Sequence, residues 1–141
     1  LLTTAEGCRR EYLENHFGLV LPSYATIFYA QGVRVGNPEL RKSNIHGELG
    51  YAACDAGFHP VNALIQNFGH LAKKNIVQFN EKEAQEFASG EDPVIDLGGK
   101  SKYVIVKYKQ NVVGLGYYNH SQRKIMNKIP EKRRRIIINS I

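Results

Sequence analysis

The chain has 141 residues, 43% of them apolar and 23% charged, and its formal net charge is +6 at pH 7, which is typical of a soluble globular protein of one or two small domains. Two cysteines, Cys8 and Cys54, are too few for a disulfide framework and indicate a reducing compartment. No apolar run approaches the roughly 18 residues needed to span a bilayer, and the first residues lack a secretory-signal pattern, so we expect a cytoplasmic protein with no membrane partner.

The first half of the sequence alternates short apolar runs with Gly and Pro signals. A short amphipathic helix is predicted over Thr4–His16 and a loop over 36–47. Strands are predicted at Leu19–Leu21, Tyr24–Ala30, Val33–Val35 and within Leu49–Phe58. A helix then begins at Pro60, where the missing N–H costs nothing, and carries apolar residues at spacings of three and four. That stripe consists of Val61, Leu64, Ile65, Phe68 and Leu71.

The second half begins with a predicted strand at Ile76–Phe79. Asn80 and Glu83 have the spacing of a capping box for a short helix through Phe87, and Gly90 is placed to end it. Further strands are predicted at Val94–Leu97, Lys102–Tyr108 and Val112–Tyr118, and Arg135–Asn139 fits a last strand or a helical turn. The basic residues from Arg123 to Arg135 are expected to form a less ordered flank of the domain. One short helix and four or more short strands indicate a small β pseudo-barrel with the helix at its mouth. The predicted fold class is therefore α+β, with a small α+β domain in 1–73 followed by a pseudo-barrel domain in 74–141.

The positive charge is concentrated at the end of the chain. Residues 1–73 hold six basic and six acidic residues, whereas 100–141 hold eleven Lys or Arg and one acidic residue, a net charge of +10. Because this segment also contains the predicted strand pair, its cations and tyrosines are displayed on a sheet. Such a surface suits nucleic acid, since cations meet phosphates and aromatic faces stack on bases. The alternative interpretation is a solvated surface that keeps the protein soluble.

Two stretches resemble PUA domains, the RNA-binding modules of pseudouridine synthases and archaeosine transglycosylases. Asn75–Gly90 is similar to the strand, helix and glycine that open the fold, and Tyr103–Gly116 is similar to its later strand pair with a Gly-x-Gly ending. The segment from Lys124 to Pro130 and the arginines after it resemble the PUA-like tails of RNA cytosine-5 methyltransferases. PUA proteins of ribosome biogenesis place a small α+β domain before the PUA domain, an archaeal-type layout that 1–73 fits. Glu91–Gly99 departs from the family pattern, and the body of a methyltransferase is missing.

The resemblance implies a non-catalytic RNA-binding protein whose partner is structured rRNA or tRNA, held in the groove between the helix at 81–88 and the following strand. Gly90 is expected to cap that helix and, by analogy, to contact RNA through its backbone. Phosphate contacts are predicted for Lys100, Lys102, Lys107, Lys109, Arg123, Lys124, Lys128, Arg133, Arg134 and Arg135. Of the adjacent Tyr117 and Tyr118, at most one can be an exposed stacking residue, because neighbouring strand residues point to opposite faces.

Other interpretations have less support in the sequence. No cofactor is predicted, and a metal site at His46, Cys54, Asp55 and His59 matches no zinc spacing. Glu91 and Asp92 are more simply a loop than an acid–base pair. A protein–protein adaptor in ribosome assembly, which docks a partner through the neutral first half, is the main alternative function.

Overall fold

The computed structural model describes residues 10–22, 26–29, 33–36, 51–52, 60–139 and 141. The chain divides into two compact units, Leu1–Lys74 and Asn75–Ile141. Compactness alone does not show that a unit folds independently, so the division into a 1–73 domain and a 74–141 domain stays a prediction.

The first described element of the first unit is a short helix, α1 (Arg10–Tyr12), which continues as a π-helix over Leu13–Phe17. The helix ends at Gly18, whose left-handed backbone (φ 61°) lets its N–H donate to the Glu14 carbonyl at 2.9 Å. The described end of the predicted Thr4–His16 helix is therefore helical. The strand predicted at Leu19–Leu21 is wrong, because the Leu19 N–H donates to the Leu13 carbonyl at 3.1 Å and the segment pairs with no strand in the described part of the chain.

A small antiparallel sheet follows in the order β1 (Thr26–Tyr29), β2 (Val33–Gly36) and β3 (Tyr51–Ala52). β1 and β3 lie within the predicted strands Tyr24–Ala30 and Leu49–Phe58, whereas β2 extends one residue beyond the predicted Val33–Val35, to Gly36. The helix α2 occupies Asn62–Phe68 and continues as a 3-10 turn over Gly69–Leu71. Pro60 is not its first residue, because Val61 is extended (φ −112°, ψ 158°). Leu64, Ile65 and Phe68 of the predicted stripe are buried.

The second unit is built on a four-stranded mixed sheet in the order β4 (Ile76–Phe79), β5 (Lys102–Tyr108), β6 (Asn111–Asn119) and β7 (Lys124–Asn127). β4 is parallel to β5, and the other pairs are antiparallel. The crossover from β4 carries helix α3 (Glu81–Ala88), and the predicted capping box is present, since Asn80 and Glu83 exchange side-chain hydrogen bonds of 2.8 and 3.0 Å. The second unit is therefore α+β.

The sheet and α3 enclose one apolar core. Ala84, Phe87 and Ala88 of α3 pack on the face of the sheet that carries Val104, Val106, Tyr118 and Ile125. Gly116 lies on that face, where a Cβ would overlap Cγ2 of Ile125 and come within 3.4 Å of Cζ of Phe87. The bare backbone of β6 therefore lets α3 approach closely.

Two predictions for the second unit are corrected. The strand expected at Val94–Leu97 is reduced to one bridge between Val94 and Lys124, and Val94 is 83% exposed. The tail from Arg123 to Arg135, expected to be a less ordered flank, instead forms β7 and begins a second helix, α4 (Glu131–Asn139). The tail is ordered because Ile125, Ile129 and Ile137 are buried in the core.

Candidate nucleic-acid interface

Strand register brings four of the predicted phosphate-binding cations to one end of the sheet. Lys102 at the start of β5 lies opposite Tyr118, and Lys124 at the start of β7 lies opposite Asn119. Lys100 precedes β5, and Arg123 closes the turn before β7 in a left-handed conformation (φ 49°). We call Lys100, Lys102, Arg123 and Lys124 the strand-end cluster. It places four positive charges from two chain segments at one end of the sheet, with Lys102 on the face of Tyr118 and Lys124 on the opposite face. Phosphates that pass this end of the sheet can therefore meet cations from both faces.

Asp96 organises the polar groups beside this cluster. Its carboxylate accepts hydrogen bonds from the Gly98 N–H (2.9 Å), the Tyr118 hydroxyl (3.2 Å) and Nε of Arg123 (3.2 Å). These bonds, the one from Gly98 above all, hold the pKa of Asp96 below its ordinary value, so the group is ionised at neutral pH. The Arg123 and Asp96 side chains are each 57% exposed, which leaves the guanidinium accessible while its direction is fixed.

Tyr118 belongs to this network and not to an aromatic surface. Its ring is fully buried, and its hydroxyl accepts a hydrogen bond from the Leu97 N–H at 3.1 Å and lies 3.2 Å from Nδ1 of His120. Tyr117 is half-buried and contacts Tyr103 edge to face, with ring centroids 4.9 Å apart. Between the two adjacent tyrosines, only Tyr117 keeps partial exposure for stacking.

Lys107 and Lys109 lie at the opposite end of the sheet, on the β5–β6 hairpin. Seven residues of strand at about 3.3 Å each put Lys109 roughly 20 Å from the strand-end cluster. Lys109 is exposed in the turn at a left-handed φ of 54°, and its ammonium lies 5.3 Å from the centre of the Tyr108 ring. Its carbonyl accepts a hydrogen bond from Nε2 of Gln78 at 2.8 Å. The hairpin therefore presents a second basic site, separate from the first.

The remaining predicted cations are carried by α4 and the residue that leads to it. Lys128, Arg133 and Arg135 are exposed, whereas Arg134 is half-buried. The helix turns Arg134 inward with Ile137 and Ile138, so the three consecutive arginines do not form one surface. Lys132 is also exposed on α4 but was not among the predicted contacts. Its position in the basic run Lys132–Arg135 could have identified it as a further contact.

The structure brings Gly90 and Arg134 together. Gly90 has φ 112°, and a Cβ at this position would overlap the guanidinium of Arg134. Nε of Arg134 donates to the Ile129 carbonyl at 3.3 Å, which fixes the side chain at the C-terminal end of α3, where a cation is favoured. The Gly90 N–H donates to the Phe87 carbonyl at 3.0 Å, so the expected cap is present. The Gly90 N–H is therefore already hydrogen-bonded within the protein. A ligand that approaches Gly90 would contact the Arg134 guanidinium before it reached the backbone.

Asn127 has a structural role that no local sequence pattern indicated. Its amide nitrogen donates to the Phe87 carbonyl at 2.6 Å and to the Glu91 carbonyl at 3.2 Å, and its amide oxygen accepts from the Ile129 N–H at 2.9 Å. Its own N–H donates to Oδ1 of Asp92 at 2.7 Å. Asn127 therefore connects the end of α3, the loop after it and the entry to α4. Asp92 is a loop residue that accepts a backbone hydrogen bond.

Other expectations fall outside the part of the chain that the structure describes. Cys8 and the imagined metal ligands His46, Cys54, Asp55 and His59 lie in undescribed residues, and among the described residues no three His, Cys, Asp or Glu side chains gather as metal ligands. No helix within the described ranges is both long enough and apolar enough to cross a membrane.

Comparison with protein families matches the basic part of the chain. Residues 74–135 match the family described as the methyltransferase RsmF PUA domain. No curated protein matches the chain. The match confirms the resemblance to PUA domains of RNA methyltransferase tails, and it includes the strand-end cluster, the β5–β6 hairpin and the first half of α4.

Proposed function

We propose that this chain, whose residues 74–135 are a PUA domain of the methyltransferase RsmF type, binds structured rRNA or tRNA. The family match is the observation that carries the proposal. The charge distribution supports it, because 100–141 have a net charge of +10 while 1–73 are neutral. A solvated surface that served only solubility would not require this asymmetry.

The strand-end cluster is proposed to hold consecutive phosphates, with Arg123 directed by Asp96. The exposed cations of the hairpin and of α4 then contact other parts of a folded RNA, since the hairpin lies roughly 20 Å from the cluster. An RNA whose backbone returns on itself can reach separated basic sites, whereas a short extended strand cannot reach them all. Recognition therefore depends more on the shape of the RNA than on its sequence.

Further parts of the proposal concern the whole chain. We propose that Val94–Leu97 completes a PUA pseudo-barrel, because Val94 bridges to Lys124 and the Ile95 N–H donates to the Arg123 carbonyl at 2.9 Å. Residues 1–73 would form an accessory α+β domain. The protein would act in the cytoplasm, in ribosome biogenesis or RNA modification, without being an enzyme itself.

A pull-down before and after nuclease treatment tests this function against the adaptor alternative. If the chain binds RNA, the molecules captured with it are ribosomal or transfer RNAs, and accompanying proteins are lost when the RNA is digested. A variant with Lys100, Lys102 and Lys124 replaced by alanine is expected to capture less RNA, and Lys73→Ala in the first unit is the matched control. Proteins that remain after complete digestion, with no RNA captured beforehand, would instead support the adaptor.

A further inference from the structure

The beginning of α4 borders an open cavity of ≈ 670 Å³ whose described lining residues are Pro130, Glu131, Lys132, Arg135 and Ile136. Ile136 is 63% exposed, although Ile137 beside it is buried in the core. The helix thus uses one isoleucine for packing and turns its neighbour toward solvent at the cavity.

The charged residues around the cavity are available to a ligand. Glu131 and Arg135 are four residues apart on the helix, a spacing at which opposite charges commonly pair. Both side chains are exposed, and within the described residues the structure records no ion pair between them. Lys132 is exposed one turn before Ile136. An apolar surface, two cations and one carboxylate therefore line the same space without an internal partner among them.

We propose that this cavity binds one unpaired nucleotide of the RNA, with a preference for guanine. The inference rests on the proposed function and adds a site for a single base. Ile136 and Pro130 contact the face of the base, while Lys132 and Arg135 neutralise the flanking phosphates. Glu131 selects the base, because a carboxylate accepts two hydrogen bonds side by side and the Watson–Crick edge of guanine offers two adjacent donors, N1–H and the N2 amino group.

The other bases fit this carboxylate less well. Adenine and cytosine each place a ring-nitrogen acceptor beside their single amino group, and uracil flanks its one N–H with two carbonyl oxygens, so each brings a lone pair against Glu131. An acidic protein segment fits the two cations, but its carboxylates offer Glu131 no hydrogen-bond donor, whereas a guanine nucleotide supplies phosphates for the cations and two donors for the carboxylate. The mixed charge of the cavity therefore favours a nucleotide over an acidic peptide.

The test uses the full chain and an RNA hairpin that is either blunt or carries one unpaired 3′ nucleotide, G, A, C or U, with binding followed by fluorescence anisotropy. The unpaired G is expected to tighten binding by about fivefold over the blunt hairpin, the lower end of the contribution of one contacted base. Ile136→Ala should abolish this gain, since alanine keeps the helix but removes the apolar contact. Glu131→Gln should keep part of the gain and lose the preference for G.

Asn139→Ala is the matched control, because Asn139 is exposed on the same helix but does not line the cavity. A chain that binds neither the blunt nor the extended hairpin contradicts the proposed function itself. Tight binding of the blunt hairpin with no gain from any added nucleotide, or a gain that Ile136→Ala leaves unchanged, overturns the nucleotide site alone. The site is also overturned if Ile136→Ala instead removes a nuclease-resistant protein from a pull-down.

Discussion

Replacing Asn127 by alanine is expected to lower the free energy of unfolding of the second unit by about 3 kcal/mol. The side chain makes three hydrogen bonds to backbone groups, at Phe87, Glu91 and Ile129. Alanine leaves the Ile129 N–H and the Glu91 carbonyl without this partner and removes one of the two hydrogen bonds to the Phe87 carbonyl, which keeps the Gly90 N–H. Each group that stays shielded from water without a partner costs about 1–3 kcal/mol. The loss is large because one residue joins α3, the loop after it and the chain that leads into α4.

Urea unfolding followed by circular dichroism measures this loss. Asn119→Ala is the matched control, since Asn119 also accepts hydrogen bonds, from the Ser121 hydroxyl and the Gln122 N–H, but within one surface turn. The control is expected to lose no more than about 1 kcal/mol. Equal losses for the two variants would contradict the role of Asn127 as a connection between elements.

Gly116→Ala is expected to destabilise the second unit by about 2 kcal/mol, the usual cost of an extra methyl group in a packed core. An added Cβ would overlap Cγ2 of Ile125 and press against Phe87, and both side chains are fully buried. The direction of the effect is informative, because alanine in place of glycine within a strand otherwise stabilises by about 0.5–1 kcal/mol. A decrease in stability would therefore indicate that β6, β7 and α3 are in close contact at Gly116.

The double variant Gly116→Ala with Ile125→Leu provides the control. Leucine has no branch at Cβ and so removes the methyl group that the new Cβ would overlap. The double variant is expected to be more stable than Gly116→Ala alone, although Ile125→Leu by itself lowers stability. An alanine at 116 that costs nothing, or that the leucine does not relieve, would show that the core is looser than the structure describes.

Elements that depend on neighbouring residues could be predicted from the sequence. The strands Ile76–Phe79 and Lys102–Tyr108 have the predicted bounds, and the capping box of Asn80 and Glu83 is present. A side chain three residues away and an alternation along one strand are local signals. The resemblance to PUA domains is carried by these same segments.

Elements that depend on contacts distant in sequence could not be predicted from the sequence. Arg133–Arg135 and the isoleucines after them have no clean helical or strand period, and α4 is placed because Ile137 reaches the core formed by α3 and the sheet. Val94–Leu97 is mostly apolar, as in a strand, but its pairing with β7 is limited to one bridge, between Val94 and Lys124. Tertiary packing decided both segments.

The candidate site shows the same division. The sequence marks the cations, and the β5–β6 hairpin then implies that Lys102 lies near the end of β6. The hydrogen bond of Arg123 to Asp96 joins residues 27 apart in sequence, and the inward direction of Arg134 depends on the rotation of α4 against Gly90. Charge composition alone could not show that Arg134 is half-buried while Arg133 and Arg135 are exposed.

The central claim, that the basic PUA domain binds RNA through phosphates, is tested most directly by the salt dependence of binding to tRNA or rRNA fragments. With about five phosphates contacted, log affinity should fall with log salt at a slope of roughly −3.5, so binding weakens about a hundredfold between about 50 and 200 mM salt. Replacing Lys100, Lys102 and Lys124 by alanine should reduce the slope to about −1.4, whereas Lys73→Ala should not change it. An affinity that does not respond to salt, or an equal slope in the triple variant, would contradict the claim.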